Sequence, residues 1–392
     1  MADTNDKSMV AEAKKRFEDE FAAATRGIKR PNILLLGKTG AGKSSLVNMV
    51  FGSNLADVGH VAPLTRGFHE YSLPAVPVNI IDSEGYELEG EEGFRRSLAD
   101  YISRNFSDIT RQVHIAWLCI STGTNRVMPF DIQIVRLLQA NSIPVAVVLT
   151  QCDLDTPTGD CAAAMRRVVV DEFGPDVPCF EVSNDPAVND ELGQLPGLIQ
   201  WSKDNLPDAN LRLGFIAAQR VSLAEKDKAA EMRVRWYAGA AGGVGATPLP
   251  VSDAVVLTGL QMKMSADIYA IYGFDNTLRH GLQDFVQGKI ASAVGKLVAG
   301  NIIKAVPVGG QIVGSVVNAG VAGSITYALG RTVATACSHA CKAVWKGDTA
   351  AVDMIFNVEN LYGIYNDTRA RVAARFNPAK TSATNDTATK PR

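Results

Sequence analysis

The chain has 392 residues, enough for two or three domains of ordinary size, and its 46% hydrophobic content excludes global disorder. Lys and Arg number 39 against 41 Asp and Glu, a formal charge of -2. That balance supplies no general pull toward a polyanion, so no nucleic acid is expected as a partner. Six Cys (Cys119, Cys152, Cys161, Cys179, Cys337 and Cys341) are scattered without a CxxC pair and read as reduced, mostly buried thiols. The opening MADTNDKSMVAEAKKRFEDEF is too charged for a secretion signal, which points to the cytoplasm.

Residues 1–30 place Val10, Ala13, Phe17, Phe21 and Ala24 at steps of three or four, the spacing of a short amphipathic helix. Its narrow stripe and mixed polar face favour packing on the protein's own helices over attachment to a membrane. From 31 to 206, strand-like runs alternate with helical ones. Asn32–Leu36, Phe68–Leu73, Pro77–Ile81, Val113–Ile120, Pro144–Leu149 and Cys179–Val182 read as strands. Ser44–Phe51, Gly93–Ile102, Pro129–Gln139, Cys161–Phe173 and Pro196–Asn205 read as helices. This order predicts an α/β domain, a mostly parallel six-stranded sheet with helices on both faces and a hairpin at one edge. The strand signal then stops. A charged linker helix is expected within 207–235, an all-α C-terminal domain over 236–376, and a disordered tail over 377–392.

The segment Gly37, Lys38, Thr39, Gly40, Ala41, Gly42, Lys43, Ser44 fits GxxxxGK[ST] between a strand and a helix. Small residues there let successive backbone amides turn inward around phosphate oxygens, and the helix N-terminus adds its positive end. Lys43 would bridge the outer phosphates, Ser44 would ligate Mg²⁺, and Ser45 continues the cradle. Thr65 stands on an expected loop able to fold over the γ-phosphate and Mg²⁺. Asp82-Ser83-Glu84-Gly85 ends an apolar strand, where Asp82 can hold a metal-bound water and the Gly85 N–H can meet the γ-phosphate. Thr150-Gln151-Cys152-Asp153 follows another strand. Its Asp153 carboxylate, expected to be buried, can accept from guanine N1–H and the N2 amino group, a pairing adenine lacks. Ser183 and Asn184, in Glu181-Val182-Ser183-Asn184, would approach guanine O6. The candidate catalytic groups are Lys43, Thr65 and Gly85, and the candidate metal ligands are Ser44 and Thr65.

In this order GKTGAGKSS, PLTRGFHEY, DSEG, TQCD and EVSN resemble the translation-factor-related P-loop GTPases, near the Era-like and septin-like branches. The resemblance covers about 31–206. It implies a Ras-like fold, GTP/GDP binding with Mg²⁺, and switch loops around Thr65 and Gly85. Gln151 replaces the family's Lys, so its shorter stem predicts weaker nucleotide affinity with specificity kept. Gly40 stands where potassium-stimulated relatives carry Asn, so no such stimulation is expected. Tyr86 stands where many small GTPases carry a water-orienting Gln, which predicts hydrolysis on the order of 10⁻³ s⁻¹ or below for the isolated chain. Help would come from Glu84, Glu87, Arg126 or a second G domain in a homodimer.

Residues 236–346 resemble an uncharacterised helical domain that follows GTPase domains in bacterial, often membrane-linked, proteins. The features are GATPLPVSDAVVLTGLQMKM, IYAIYG and AVPVGGQIVGSVVNAGVAGSITYALG. Residues 305–330 carry no charge, and Gly310, Gly314, Ala319 and Gly323 have the spacing that lets helices approach closely. Pro307, Gln311 and Asn318 make the run a poor membrane span, so a buried Gly-lined helix contact or peripheral association at the inner membrane is favoured. Cys337, His339 and Cys341 lack a second ligand pair and read as packing residues. His60, His69, His114 and His280 look isolated, and Trp117, Trp201, Trp236 and Trp345 read as packing residues. Nucleotide-dependent membrane remodelling and a nucleotide-binding scaffold without turnover stand as alternatives to a switching GTPase.

Overall fold

The computed structural model describes residues 15, 19–52, 60–65, 68–73, 76–83, 90–108, 110–155, 158–244, 252–274 and 314–376. Two compact units emerge, Ile28–Ser222 and Met1–Gly27 with Leu223–Arg392.

The first unit is built on strands β1 (Asn32–Leu36), β2 (His60–Thr65), β3 (Phe68–Leu73), β4 (Val76–Ser83), β5 (Ile115–Ser121), β6 (Val145–Thr150) and β7 (Cys179–Glu181). They lie in the order β2-β3-β4-β1-β5-β6-β7. Strands β4, β1, β5, β6 and β7 are parallel, while β3 runs antiparallel to both β2 and β4. The six expected strands are therefore present in the Ras-like order, and β2 adds a seventh at the antiparallel edge. Its register shifts at Pro63, which has no N–H to donate, an interruption tolerable only on an edge strand.

Burial on both faces explains the unbroken apolar runs. Leu34 and Leu36 of β1, with Leu118 and Ile120 of β5, face a core that includes Phe68, Phe94, Leu98, Phe130 and Met165. Ile33, Leu35 and Trp117 face the opposite core, with Leu46, Val50, Phe51, Leu198 and Phe215. Helices α1 (Lys43–Phe51), α6 (Leu195–Asp204) and α7 (Ala209–Ala218) contribute to that second core. Helices α2 (Gly90–Asn105), α3 (Pro129–Ala140) and α4 (Asp160–Phe173) contribute to the first. A short α5 (Pro186–Leu192) follows β7. Trp117 stacks on Phe51 at 6.1 Å and donates its indole N–H to Ser202 Oγ at 3.0 Å. His114 is structural here, because its Nδ1 accepts the Asn32 N–H at 2.9 Å.

The single linker helix expected within 207–235 is instead α7 and α8 (Leu223–Val244), broken at Gln219. The Gln219 Oε1 accepts from Val221 N–H and Ser222 N–H at 2.8 and 2.7 Å, so the side chain replaces the helical bonds at the break.

The second unit packs α8 with α9 (Ser252–Tyr272), α10 (Gly314–Trp345), α11 (Thr349–Ile355) and α12 (Val358–Phe376). A Cβ on Gly323 of α10 would lie 3.1 Å from the Ala238 carbonyl of α8, so the small residue does set a close helix contact. Gly310 and His280 lie outside the described residues, as do Gly85, Glu84, Tyr86 and Glu87. Among the described residues no helix is long and apolar enough to cross a membrane. Residues 19–27 are helical, and Phe21 meets Tyr269 edge-on at 5.6 Å; Val10, Ala13 and Phe17 of the expected stripe lie outside the described residues. Cys337 and Cys341 are buried and form no disulfide, and among the described residues no three or more His, Cys, Asp or Glu side chains group so as to hold a metal ion. Trp236 departs from its packing role: it is 62% exposed.

Candidate nucleotide site

The phosphate loop joins β1 to α1 at the C-terminal end of the parallel strands, where such sheets place their ligands. Gly37, Gly40 and Gly42 all have positive φ, of 139°, 76° and 77°. A Cβ on Gly37 would lie 2.3 Å from the Cys119 carbonyl oxygen, which makes glycine obligatory there. The turn is closed by Ala41 N–H donating to Lys38 O at 3.1 Å. Helix α1 starts at Lys43 with no side-chain cap and no acidic residue in its first turn, so its leading amides are suited to an anion. The Lys43 ammonium donates to Gly37 O at 3.0 Å and Lys38 O at 3.2 Å, which holds it over the loop. Thr39 is exposed, and Ser45, on the first turn of α1, is half-buried.

The other motifs gather round this loop. Asp82, near the end of β4, pairs in register with Leu35 of β1 and with His69 of β3. Its neighbour Ser83 donates to Leu35 O at 3.0 Å, which anchors the end of the strand. Ser44 and Asp82 line one cavity of about 10 Å³, with Leu35, Val47, Tyr71 and Ile80. The Asp82 Oδ1 is buried without a hydrogen-bond partner among the described residues. Burial raises the Asp82 pKa above the ordinary carboxylate value, against opposing pulls from Lys43, His69 and the Ser83 backbone bond. A buried, unsatisfied carboxylate oxygen beside a serine hydroxyl is the donor chemistry a hard cation such as Mg²⁺ takes. His69, which looked isolated in the sequence, is thus a neighbour of the site. No periodicity signals this, because only the antiparallel register of β3 on β4 brings it there.

The turn after β6, which carries the candidate base-reading residues, is tied to the glycine-rich loop. Thr150 Oγ1 donates to Ala41 O at 2.8 Å, and Gln151 Nε2 donates to Gly40 O at 3.2 Å. The Gln151 Oε1 accepts the hydroxyl of Ser121, a residue not singled out from the sequence. Thr122 Oγ1 donates to Gln151 O at 2.7 Å. Gln151 itself is held at φ 56°, a left-handed conformation that these three bonds over-determine. Asp153 follows in a short 3-10 turn, Cys152–Leu154, and accepts the hydroxyl of Ser183. TQCD and EVSN are therefore adjacent. The Asp153 side chain is exposed and not buried as expected, because this turn projects beyond the end of β6. Asn184 is also exposed, next to the buried Ser183. Glu181 is clamped by Arg166 through Nε at 2.8 Å and Nη2 at 2.6 Å, which fixes the strand that carries Ser183.

Thr65 is the outlier. It ends β2, where it pairs with Phe68, so its backbone is strand and not the expected loop. Gly85 lies outside the described residues.

The family model described as 50S ribosome-binding GTPase matches residues 32–151. A probable GTP-binding protein EngB from Aquifex aeolicus is 30% identical over 128 residues, which is 31% of this chain and 67% of that protein. This chain belongs to that family of P-loop GTPases. The tRNA modification GTPase MnmE of Bordetella avium is 32% identical over 133 residues, covering 33% of this chain but only 28% of that protein. A crystal structure of a probable GTP-binding protein engB aligns with 44% of this chain and 97% of its own, at 17% identity and a TM-score of 0.32. The chain therefore spans about two thirds of EngB and just over a quarter of MnmE, and its helical unit lies outside the segment matched by the family model. It is a GTP-binding GTPase of the EngB and MnmE type.

Proposed function

We propose that the chain hydrolyses GTP slowly with Mg²⁺ and that its nucleotide state acts on the helical unit. The reading is carried by one observation: the phosphate loop is bonded directly to the base-reading turn through Thr150 and Gln151. One rigid frame thus supports both ends of a nucleotide. Gly37, Lys38, Thr39, Gly40, Ala41, Gly42, Lys43, Ser44 and Ser45 would cradle the phosphates. Asp153, with Ser183 and Asn184, would read guanine. Ser44 and Asp82, with Thr65, would hold Mg²⁺, which when bound neutralises charge on the phosphates. Lys43 stabilises charge developing on the γ-phosphate, and Gly85 supplies its N–H to the same group. Loops near Thr65 and Gly85 would change with nucleotide state.

Tyr86 places no Gln beside the attacking water, so a second G domain across the nucleotide would supply the missing help. Turnover per molecule then rises with protein concentration. A cytoplasmic chain with a peripheral membrane contact is a second reading, favoured by Met232 and Trp236. They sit one turn apart on α8, 61% and 62% exposed, with Lys228 one turn before Met232 and Arg235 directly before Trp236. Co-sedimentation with anionic vesicles in GTP and in GDP tests it.

Titration of the purified chain with GTP, GDP and ATP, followed by single-turnover phosphate release, tests the main reading. Guanine nucleotides binding far more tightly than ATP, with Mg²⁺-dependent release, supports it. Equal affinity for ATP sinks the guanine assignment, and no release leaves a binding scaffold.

A further inference from the structure

At the opposite end of the sheet from the phosphate loop, a cavity of about 290 Å³ opens among the starts of β5 and β6 and the ends of three helices. Its size is close to the lower end of small-molecule sites, ~300 Å³. Ile102, Val113, Ile143 and Pro144 give it an apolar wall, and Phe106, 65% exposed, stands at its edge. The polar lining is uncharged apart from the titratable His114, whose Nδ1 is occupied by the Asn32 amide.

The ends of α2, α3 and α6 share one device. Asn105, Asn141 and Asn205 each turn the side-chain NH₂ back onto a carbonyl of their own helix, at 2.9, 2.8 and 2.9 Å. Asn141 and Asn205 line the cavity, and Phe106 follows Asn105. Each bond uses one of the two N–H groups of the amide, and the amide oxygen keeps its capacity to accept. The helix C-termini add the negative ends of three peptide dipoles. Nearby cations are already matched: Arg104 with Asp100 at 3.8 Å, Arg111 with Asp108 at 3.7 Å, and Lys203 with Asp204 at 3.5 Å. An apolar-walled pocket ringed by three helix C-termini, with an aromatic face at its rim, suits a cation on an aliphatic stem.

We infer that this cavity, remote from the nucleotide site, binds a small organic cation of the alkylguanidinium or alkylammonium class. The guanidinium or ammonium head donates to Asn141 and Asn205, and the stem lies along Phe106, Ile102 and Ile143. The site does not depend on the proposed GTP hydrolysis, because it shares no residue with the phosphate loop, Asp82 or Asp153.

Isothermal titration of the full chain with n-butylguanidinium, and in parallel with the uncharged isostere n-butylurea, tests it. The expected result is one site for the guanidinium and binding of the urea weaker by about tenfold or more. Phe106→Ala should weaken guanidinium binding by roughly fivefold with GDP affinity unchanged. Ser142→Asp, which adds a carboxylate to the lining, should tighten it severalfold. Equal binding of the urea, full binding retained in Phe106→Ala, or no binding at millimolar guanidinium overturns the assignment.

Discussion

Asp82 shows a single residue caught between folding and function. Burial outweighs the attraction of Lys43 and His69, so the pKa of this carboxyl lies above the ordinary carboxylate value. A raised folded pKa means that stability is lost as pH climbs from the ordinary carboxylate range through the raised value. Asp82→Asn should therefore stabilise the nucleotide-free chain by about 1 kcal/mol at neutral pH, with the gain vanishing in acid. Urea unfolding at several pH values checks this, and the same variant should lose Mg²⁺-dependent nucleotide affinity. Asp153 works in the other direction. Asp153 is exposed, and in its proposed role it would be desolvated only when a base covers it, so discrimination would be expressed on binding. Asp153→Asn should exchange guanine for xanthine preference by roughly 10²-fold or more, read by competition between GDP and xanthosine diphosphate.

Elements here are fixed by close approaches as much as by apolar stripes. Gly214 of α7 sits where a Cβ would fall 2.1 Å from the Lys29 carbonyl. Alanine would add about 1 kcal/mol of helix propensity, yet the backbone opposite cannot retreat cheaply. Gly214→Ala should cost about 2–4 kcal/mol in denaturant unfolding. In the helical unit, Glu231 of α8 gathers Tyr327 and Arg331 of α10 together with its own Arg235. Although burial tends to raise its pKa, the bonds from Arg235, Arg331 and Tyr327 together hold it below the ordinary glutamate value. Its contribution is full above the unfolded pKa and lost as pH falls through the lowered one. Glu231→Gln should cost about 1–3 kcal/mol at neutral pH and much less in acid, measured on the unfolding transition of this unit. Of the apolar positions expected to line a helix in residues 1–30, Phe21 packs edge-on against Tyr269. The break at Gln219 could not be read from charge pattern, since it depends on one side chain replacing helical bonds.

For the whole molecule, two compact units predict two unfolding transitions unless they are energetically linked. GDP at about a hundred times its Kd should raise the transition of the sheet unit by about 2.7 kcal/mol. If the helical unit's transition rises with it, nucleotide energy reaches that unit, as effector control requires. If it stays put, the two act independently. Calorimetry with and without GDP distinguishes these outcomes.

The conformation of the glycine-rich loop was legible in the chain, because the positive φ of Gly37, Gly40 and Gly42 is what a short glycine-rich run encodes by itself. Likewise the buried strands announced themselves as unbroken apolar runs, since a sheet covered on both faces has no polar side to alternate with. The tertiary structure alone decided that His69 stands beside Asp82, that Gln151 bridges Ser121 and Gly40, that β2 joins the sheet edge, and that three helix ends converge on a second cavity. Each of these rests on contacts between residues far apart in the chain. Such contacts follow from strand register and helix packing, which no local spacing of residue types records.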